Sequence, residues 1–327
     1  MKKTGNYVSI LLVTYNRFPL FEKCFNAIIN KIRHPFELLI WNNGSTDNTA
    51  SFINNLSLNN LKQKNKFIQD FYGINFHTNI GCNAFCLLAR LATGTHFLEI
   101  DDDVIDLPDR DFIYLMLKAF HKDKLLGFLA LDVVQNEHTN GGIWADYQYT
   151  EKNYEDFVIK YGPVGGWCSM IPRTVYDKVG EFIYLKDRIY FFEDGNYIKR
   201  LEQNHLRAGI LKDVKCFHAA GPYYNDFCPE VWNNKYIDME KHEKLKRKAW
   251  KFKDIKKRQE PIIPINIETE TRKEVKCIQK EEDLLVNQVK KIETNQGTEQ
   301  KEYSKVLYFL GRIPIFKYTE SYKEFKT

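Results

Sequence analysis

The stretch Phe97-Leu98-Glu99-Ile100-Asp101-Asp102-Asp103-Val104 restricts the fold more than any other part of the chain. An apolar run of strand length delivers three consecutive carboxylates to its C-terminal end. Carboxylates this close repel one another, and removing them from water without a partner is costly. The run makes sense where something positive sits at the end of the strand. A hard divalent cation with oxygen ligands is the simplest candidate. In open α/β sheets, ligands bind beyond the carboxyl ends of the strands. The plainer reading is a solvated Asp-rich turn that caps the next helix.

The segments around this run alternate in period. Val8-Ser9-Ile10-Leu11-Leu12-Val13 predicts a buried strand, ending in the polar Thr14-Tyr15-Asn16-Arg17. Phe18 to Ile32 has helical spacing, with Phe21, Cys24, Phe25, Ile28 and Ile32 on one stripe, and His34-Pro35 ends it. Phe36 to Trp41 predicts a second strand, and Asn42 to Asp47 a turn with helix-capping residues before a second helix. Asn59 to Asp70 reads as a loop or frayed helix end, and Gly73 to His77 as a third strand. A helix is expected from Asn79-Ile80-Gly81 to Ala92, another from Pro108 to His121, then a strand over Gly127 to Val134. This alternation predicts an α/β fold with a mixed, mainly parallel sheet flanked by helices.

The pattern then changes. Residues 140–149 suggest hairpin and loop structure, and Gly162 to Met170 a loop then a strand. Short helices are expected over Arg173 to Val179 and from Phe191 to Asn204, with a strand from Gly209 leading to His218. The expected organisation is a catalytic domain over 1–235, with halves 1–104 and 105–235. A basic helix (236–258), a polar linker (259–302) and an apolar-basic tail (303–327) follow, the tail helical or extended.

Charge is uneven. Of the formal net +5, residues Lys241 to Arg258 carry ten Lys/Arg and two acids, a net +8, so the remainder is about −3 by subtraction. A local basic stripe suits a phosphate or anionic lipid better than a general nucleic-acid surface, and no nucleic-acid partner is expected. A solvated helix face accounts for it equally. Seven cysteines without a CxxC pair predict a reduced, cytoplasmic chain. Tyr7 to Val13 is too short for a secretory signal, and no apolar run is long enough for a membrane span. Membrane association, if any, is expected to be peripheral, on the cytoplasmic face of the inner membrane.

The ends of the first, second and fourth strands line one crevice in a doubly wound sheet. Tyr15 offers a ring to stack on a base; Asn43 and Asp47 offer acceptors for a base N–H or ribose hydroxyls. Asp101 and Asp103 could hold a metal that neutralises a diphosphate. Each alone has a plain structural reading as turn or packing; the order and the shared strand ends carry the argument.

Val8 to Arg17, Asn43-Gly44-Ser45-Thr46-Asp47, Asp101-Asp102-Asp103 and Glu193-Asp194 together resemble the family 2 glycosyltransferases of GT-A fold, over about residues 7 to 225. The resemblance implies inverting transfer of a sugar from a nucleotide-diphosphate sugar, UDP-sugar favoured. Thr14, Tyr15, Asn43 and Asp47 would hold the nucleoside, within a donor-binding set that includes Asn16, Arg17, Asn79, Gly81, Asp101 and Asp102. Asp103 would hold Mn²⁺ or Mg²⁺, with Asp101 and His218, whose imidazole suits Mn²⁺. Asp194 would be the general base and Glu193 its neighbour, orienting it or binding acceptor. Gly166 and Trp167 resemble the acceptor-side loop, where Trp could stack on a sugar; a core Trp is the alternative. The chain departs from the family pattern at Asn42-Asn43, which lacks the usual Asp, at Cys86 and Leu88 in the helix before the DXD strand, and near His205, where a Gly is usual.

The tail Tyr308 to Lys317 resembles a segment of bacterial surface-polysaccharide glycosyltransferases. It implies a glycan or lipid-linked acceptor, with the tail on a membrane interface or forming a homo-oligomer contact; Pro314 would interrupt a regular helix. Two other readings compete. Asp101 could be the nucleophile of a haloacid-dehalogenase-type phosphatase, or the chain could be a non-catalytic sugar-nucleotide-binding scaffold.

Overall fold

The computed structural model describes residues 7–135, 139, 141, 147–185, 189, 193–219, 306–309 and 313–316. The chain forms two units, Met1–Leu245 and Lys246–Thr327. The first unit is built on one ten-stranded sheet. Its strands are β1 (Val8–Thr14), β2 (Phe36–Asn43), β3 (Ile68–Phe76), β4 (His96–Asp101), β5 (Val104–Asp106), β6 (Leu126–Val133), β7 (Thr150–Asn153), β8 (Val158–Tyr161), β9 (Cys168–Pro172) and β10 (Arg207–His218). The spatial order is β3-β2-β1-β4-β9-β6-β10-β8-β7, with β5 pairing β10.

Pairing is parallel through β3-β2-β1-β4 and again between β6 and β10. β9 runs antiparallel between β4 and β6, and the β7–β8 hairpin closes the far edge antiparallel. The mixed, mainly parallel sheet expected from the sequence is therefore present. Val8, Ile10, Leu11 and Leu12 of β1 and Leu38, Leu39, Ile40 and Trp41 of β2 are fully buried, because helices cover both faces of central parallel strands.

The helices follow the apolar stripes. α1 (Phe18–Lys31) has a Pro in its first turn and buries Leu20, Phe21, Cys24, Phe25, Ala27, Ile28 and Ile29. Phe21 and Phe25 meet Phe52 of α2 (Thr49–Asn54) edge-on, with ring centroids 5.7 and 5.2 Å apart. α5 (Phe112–Lys122) starts where the Asp111 side chain accepts from the Tyr114 N–H at 3.0 Å. α6 (Arg173–Val179) and α7 (Glu193–Gln203) match their expected spans closely.

Several expectations are corrected. Asn59 to Asp70 is neither loop nor frayed end but α3 (Leu58–Lys64), capped by Ser57, followed by the start of β3. α3 buries only Leu61, so it leaves no apolar stripe to read. α4 (Asn83–Leu91) begins four residues later than expected, because Gly81 adopts φ +59. An antiparallel hairpin lies at 150–161, and most of 140–149, where a hairpin and loop were expected, lies outside the described residues. Of the second unit, β11 (Val306–Phe309) and β12 (Ile313–Phe316) form an antiparallel pair that sets Tyr308 opposite Pro314. The tail is thus extended there. The basic helix, the polar linker and the rest of the tail lie outside the described residues. Among the described residues no helix is long and apolar enough to cross a membrane.

His96, at the start of β4, packs at a tilt against Phe120, with ring centroids 5.7 Å apart, and bonds Thr95 through Nδ1 at 3.0 Å. Burial, then the charge of His34, lowers its pKa from 6.5 to about 4. The folded state therefore binds this proton less readily than the unfolded chain. Stability from His96 is complete above pH 6.5 and lost as pH falls towards 4. We expect the unfolding free energy of wild type to fall over that window by about 2–3 kcal/mol more than that of His96→Gln. Urea titrations at a series of pH values check this; parallel curves for the two proteins would refute it.

Candidate active site

The insertion of β9 creates the site. β4 ends at Asp101 beside the start of β9, and the Asp101 N–H donates to the Trp167 carbonyl at 2.9 Å. β10 ends at His218, paired with Val104 of β5 just past the acidic turn. Three chain segments far apart in sequence therefore converge at one point.

Asp101, Asp103 and His218 each offer a ligand atom, all within 4.8 Å of one another. His218 Nε2 is 3.2 Å from Asp103 Oδ1 and 3.7 Å from Asp101 Oδ2. Burial disfavours the imidazolium, but the charge of Asp103 outweighs it and raises the His218 pKa to about 9. The surrounding protein and the charge of Asp103 push Asp101 up to about 7, against the pull of His218. Two carboxylates and one imidazole on a strained charge balance fit a divalent cation, and the nitrogen suits Mn²⁺.

Arg17 stands on the other side of the turn. Its Nη1 donates to Asp103 Oδ2 at 2.8 Å and lies 3.2 Å from Asp102 Oδ1. Asp102 is 2% exposed, so its carboxylate faces Arg17 and the interior rather than an open donor groove.

The loops expected to hold the donor are pinned to each other. Asn16, at φ +49, accepts from the Thr46 N–H through Oδ1, and its own N–H donates to Ser45 Oγ. Asp47 accepts from the Phe18 N–H at 2.9 Å and the Thr49 N–H at 3.0 Å. Thr14 is buried, with Tyr15 beside it part-exposed. Asn43 is 2% exposed and its amide is engaged: Oδ1 accepts from Trp41 Nε1, and Nδ2 donates to the Gly81 carbonyl. Asn43 thus shapes the strand end rather than presenting its acceptor to a base.

Gly81 and Asn79 also serve the scaffold. A Cβ on Gly81 would lie 1.7 Å from the Ile189 carbonyl oxygen, so only glycine fits there. The Asn79 side chain accepts from the Gly81 N–H at 2.8 Å. Cys82 donates its N–H to the same Ile189 carbonyl. This turn therefore holds Ile189, four residues before Glu193.

Glu193 and Asp194 open α7. Asp194 Oδ2 accepts from the Gly166 N–H at 3.0 Å, and Oδ1 from the Gly195 N–H at 2.6 Å. Both oxygens are thus oriented by backbone donors. Burial, then the charge of Asp194, raises the Glu193 pKa to about 8. Glu193 therefore holds a proton more readily than an ordinary carboxyl group.

Trp167 is 5% exposed and donates from Nε1 to the Leu131 carbonyl at 2.9 Å. Its ring stacks on His218, with centroids 6.2 Å apart. The expectation of a ring open to an acceptor sugar is corrected: Trp167 braces the imidazole from below. Gly166 does lie at the acidic pair, through its bond to Asp194.

A model of the family described as glycosyl transferase family 2 matches residues 9–180, just over half of the chain. The chain belongs to glycosyltransferase family 2. A Haemophilus influenzae protein described as an uncharacterized glycosyltransferase is 22% identical over 191 residues, covering 56% of this chain and 56% of that one. The chondroitin synthase of Pasteurella multocida is 32% identical over 120 residues, 36% of this chain and 11% of the synthase. A Pyrobaculum calidifontis mannosyltransferase solved with GDP-Man and Mn²⁺ superposes with a TM-score of 0.48 at 18% identity, over 67% of this chain and 59% of that one. The chain thus spans about half the length of the first relative and about a tenth of the synthase.

Two residues of this family 2 chain escaped the sequence reading. Glu99, inside β4, is 3% exposed, and a Cβ on Gly166 would lie 3.4 Å from both its Oε1 and the Asp194 Cβ. Burial, then the charge of Glu193, holds its pKa well above the carboxylate range. A charged residue inside an apolar strand was the available signal. Asn83 had none, because its partner is 102 residues away. Its Nδ2 donates to the Leu185 carbonyl at 3.0 Å and its Oδ1 accepts from the Leu185 N–H at 2.7 Å, which ties Leu185 to the start of α4. Asn83→Ala leaves both backbone groups unmet, and we expect it to cost about 2–4 kcal/mol and to slow transfer more than it weakens nucleotide binding. Thermal unfolding and steady-state kinetics check this; an unchanged unfolding midpoint would show that these two bonds contribute nothing to stability.

Proposed function

We propose that the chain is an inverting glycosyltransferase that moves a sugar from a nucleotide-diphosphate sugar, UDP-sugar favoured, to a glycan or lipid-linked acceptor. The observation that carries the reading is the pairing of two acidic groups of different kinds at one strand end. Asp101, Asp103 and His218 form a cation cluster. Beside it, across Gly166 and Glu99, stands the Glu193–Asp194 pair, with Asp194 held by the Gly166 N–H. A single displacement needs both a group to neutralise the departing diphosphate and a base on the attacking side.

In this mechanism Asp194 accepts the proton of the acceptor hydroxyl as that oxygen attacks the anomeric carbon from the face opposite the diphosphate. The backbone N–H groups of Gly166 and Gly195 fix the direction of its two oxygens. Glu193, whose burial favours the protonated form, would offer an O–H donor beside it to an acceptor hydroxyl. A divalent cation held by Asp101, Asp103 and His218 would neutralise the charge that develops on the leaving diphosphate. Tyr15, Asn16, Arg17 and Asp47 lie on the two pinned loops that would border the nucleoside. Attack opposite the leaving group gives inversion at the anomeric carbon.

The acceptor class, the place in surface-polysaccharide synthesis and a cytoplasmic, membrane-peripheral location follow from the tail resemblance. The apolar-basic segment around β11 and β12 would provide that contact, or a contact between copies.

The test is a panel of UDP-, GDP- and dTDP-sugars with and without Mn²⁺, read by nucleotide release and thermal stabilisation. One donor class is expected to respond, and only with the metal. Silence across the whole panel would overturn the reading. Phosphate release from simple esters without any nucleotide sugar would favour the phosphatase chemistry at Asp101 instead.

A further inference from the structure

Asp103 is shared between an imidazole and a guanidinium. Its Oδ1 faces His218 Nε2 at 3.2 Å, and its Oδ2 accepts from Arg17 Nη1 at 2.8 Å. The same guanidinium lies 3.2 Å from Asp102. The Arg17, Asp102 and Asp103 side chains are 15%, 3% and 7% exposed, so solvent screens these pairs weakly.

The backbone under Arg17 is held from both sides. Its carbonyl accepts from the Leu20 and Phe21 N–H groups, each at 3.0 Å. Asn16 before it is tied to Ser45 and Thr46, and Phe18 after it to Asp47. An exchange of partners at Arg17 would therefore fall on its side chain.

We infer that Arg17 is a built-in counter-cation that occupies Asp103 until a metal–nucleotide complex displaces it, so that metal enters with the donor rather than ahead of it. The inference rests on the metal-dependent donor reading above. The charges support it. Asp101, Asp102 and Asp103 carry up to three negative charges, and Arg17 already answers one of them. A divalent cation placed on Asp103 shares with the guanidinium the single negative charge of that carboxylate, which weakens its hold on the metal, and the two cations repel at short range with little water between them. A diphosphate arriving with the metal removes the conflict, because it offers anionic oxygens to both. Arginine suits this exchange, since its planar fork serves carboxylate and phosphate alike. Metal and nucleotide then bind with positive coupling, which must be reciprocal.

The test measures Mn²⁺ binding to the full chain by electron paramagnetic resonance, without nucleotide and with UDP or GDP. Wild type is expected to bind free Mn²⁺ weakly, and about tenfold or more tightly once the nucleotide is present. Arg17→Gln is expected to bind free Mn²⁺ about tenfold more tightly than wild type, and to lose most of the coupling. Arg17→Lys, which keeps the charge, should retain wild-type weakness towards free metal. Arg17→Met is the second neutral variant should the first fail to fold, judged by circular dichroism. Equal free-metal affinity in wild type and the neutral variants, with nucleotide-dependent Mn²⁺ binding intact, overturns the inference and leaves the metal site standing. Absence of Mn²⁺ binding in every protein under every condition removes the metal reading itself, and this inference with it.

Discussion

Asp194→Asn is expected to lower the turnover number by about 10²–10⁴-fold, the usual contribution of a positioned general base. The amide keeps the shape of the side chain, and one oxygen remains to accept from a backbone N–H. The other of the two N–H groups, of Gly166 and Gly195, loses its acceptor, so the variant should also lose about 1–3 kcal/mol of stability while keeping the fold. The proton acceptor is lost. Nucleotide and metal affinity should stay within about threefold of wild type, because an interaction made only in the transition state alters turnover and leaves ground-state binding alone. Steady-state kinetics with calorimetric nucleotide titration check both halves. Turnover equal to wild type would remove Asp194 from the base role and strengthen the scaffold reading.

Asp103→Asn should weaken Mn²⁺ binding in the presence of nucleotide by about 100-fold, at or beyond the 10–100-fold typical of outer-shell partners. Asp103 is the residue that both His218 and Arg17 approach, at 3.2 and 2.8 Å. Replacing its charge leaves Arg17 with Asp102, so the guanidinium is not stranded, and the chain should still fold. Metal-dependent thermal stabilisation by the nucleotide should vanish with it. Retention of that stabilisation would place the metal elsewhere.

The reading of the sequence succeeded where information is local. β1 and α1 were legible because apolar residues recur at the period of one element and polar or breaking residues bound it. α3 was not, because one buried Leu61 carries its packing. The start of α4 was misplaced because Gly81 answers to Ile189, more than a hundred residues on. Trp167 illustrates the same limit: a Gly-Gly-Trp loop is compatible with an open ring or a buried one, and the Leu131 carbonyl with His218 decides for the core.

The acidic run ending in Asp101, Asp102 and Asp103 declared itself, because three adjacent carboxylates at the end of an apolar strand need a counter-charge wherever the strand lies. With the order of the strand ends and Glu193-Asp194, it carried the chain to its family. The tertiary structure alone decided how the three aspartates divide. Asp101 and Asp103 turn towards His218, and Asp102 towards Arg17 with Asp103 shared. The physical reason is that each counter-charge arrives on a different element, α1 and β10, and only the antiparallel entry of β9 sets the sheet order that brings them to one turn.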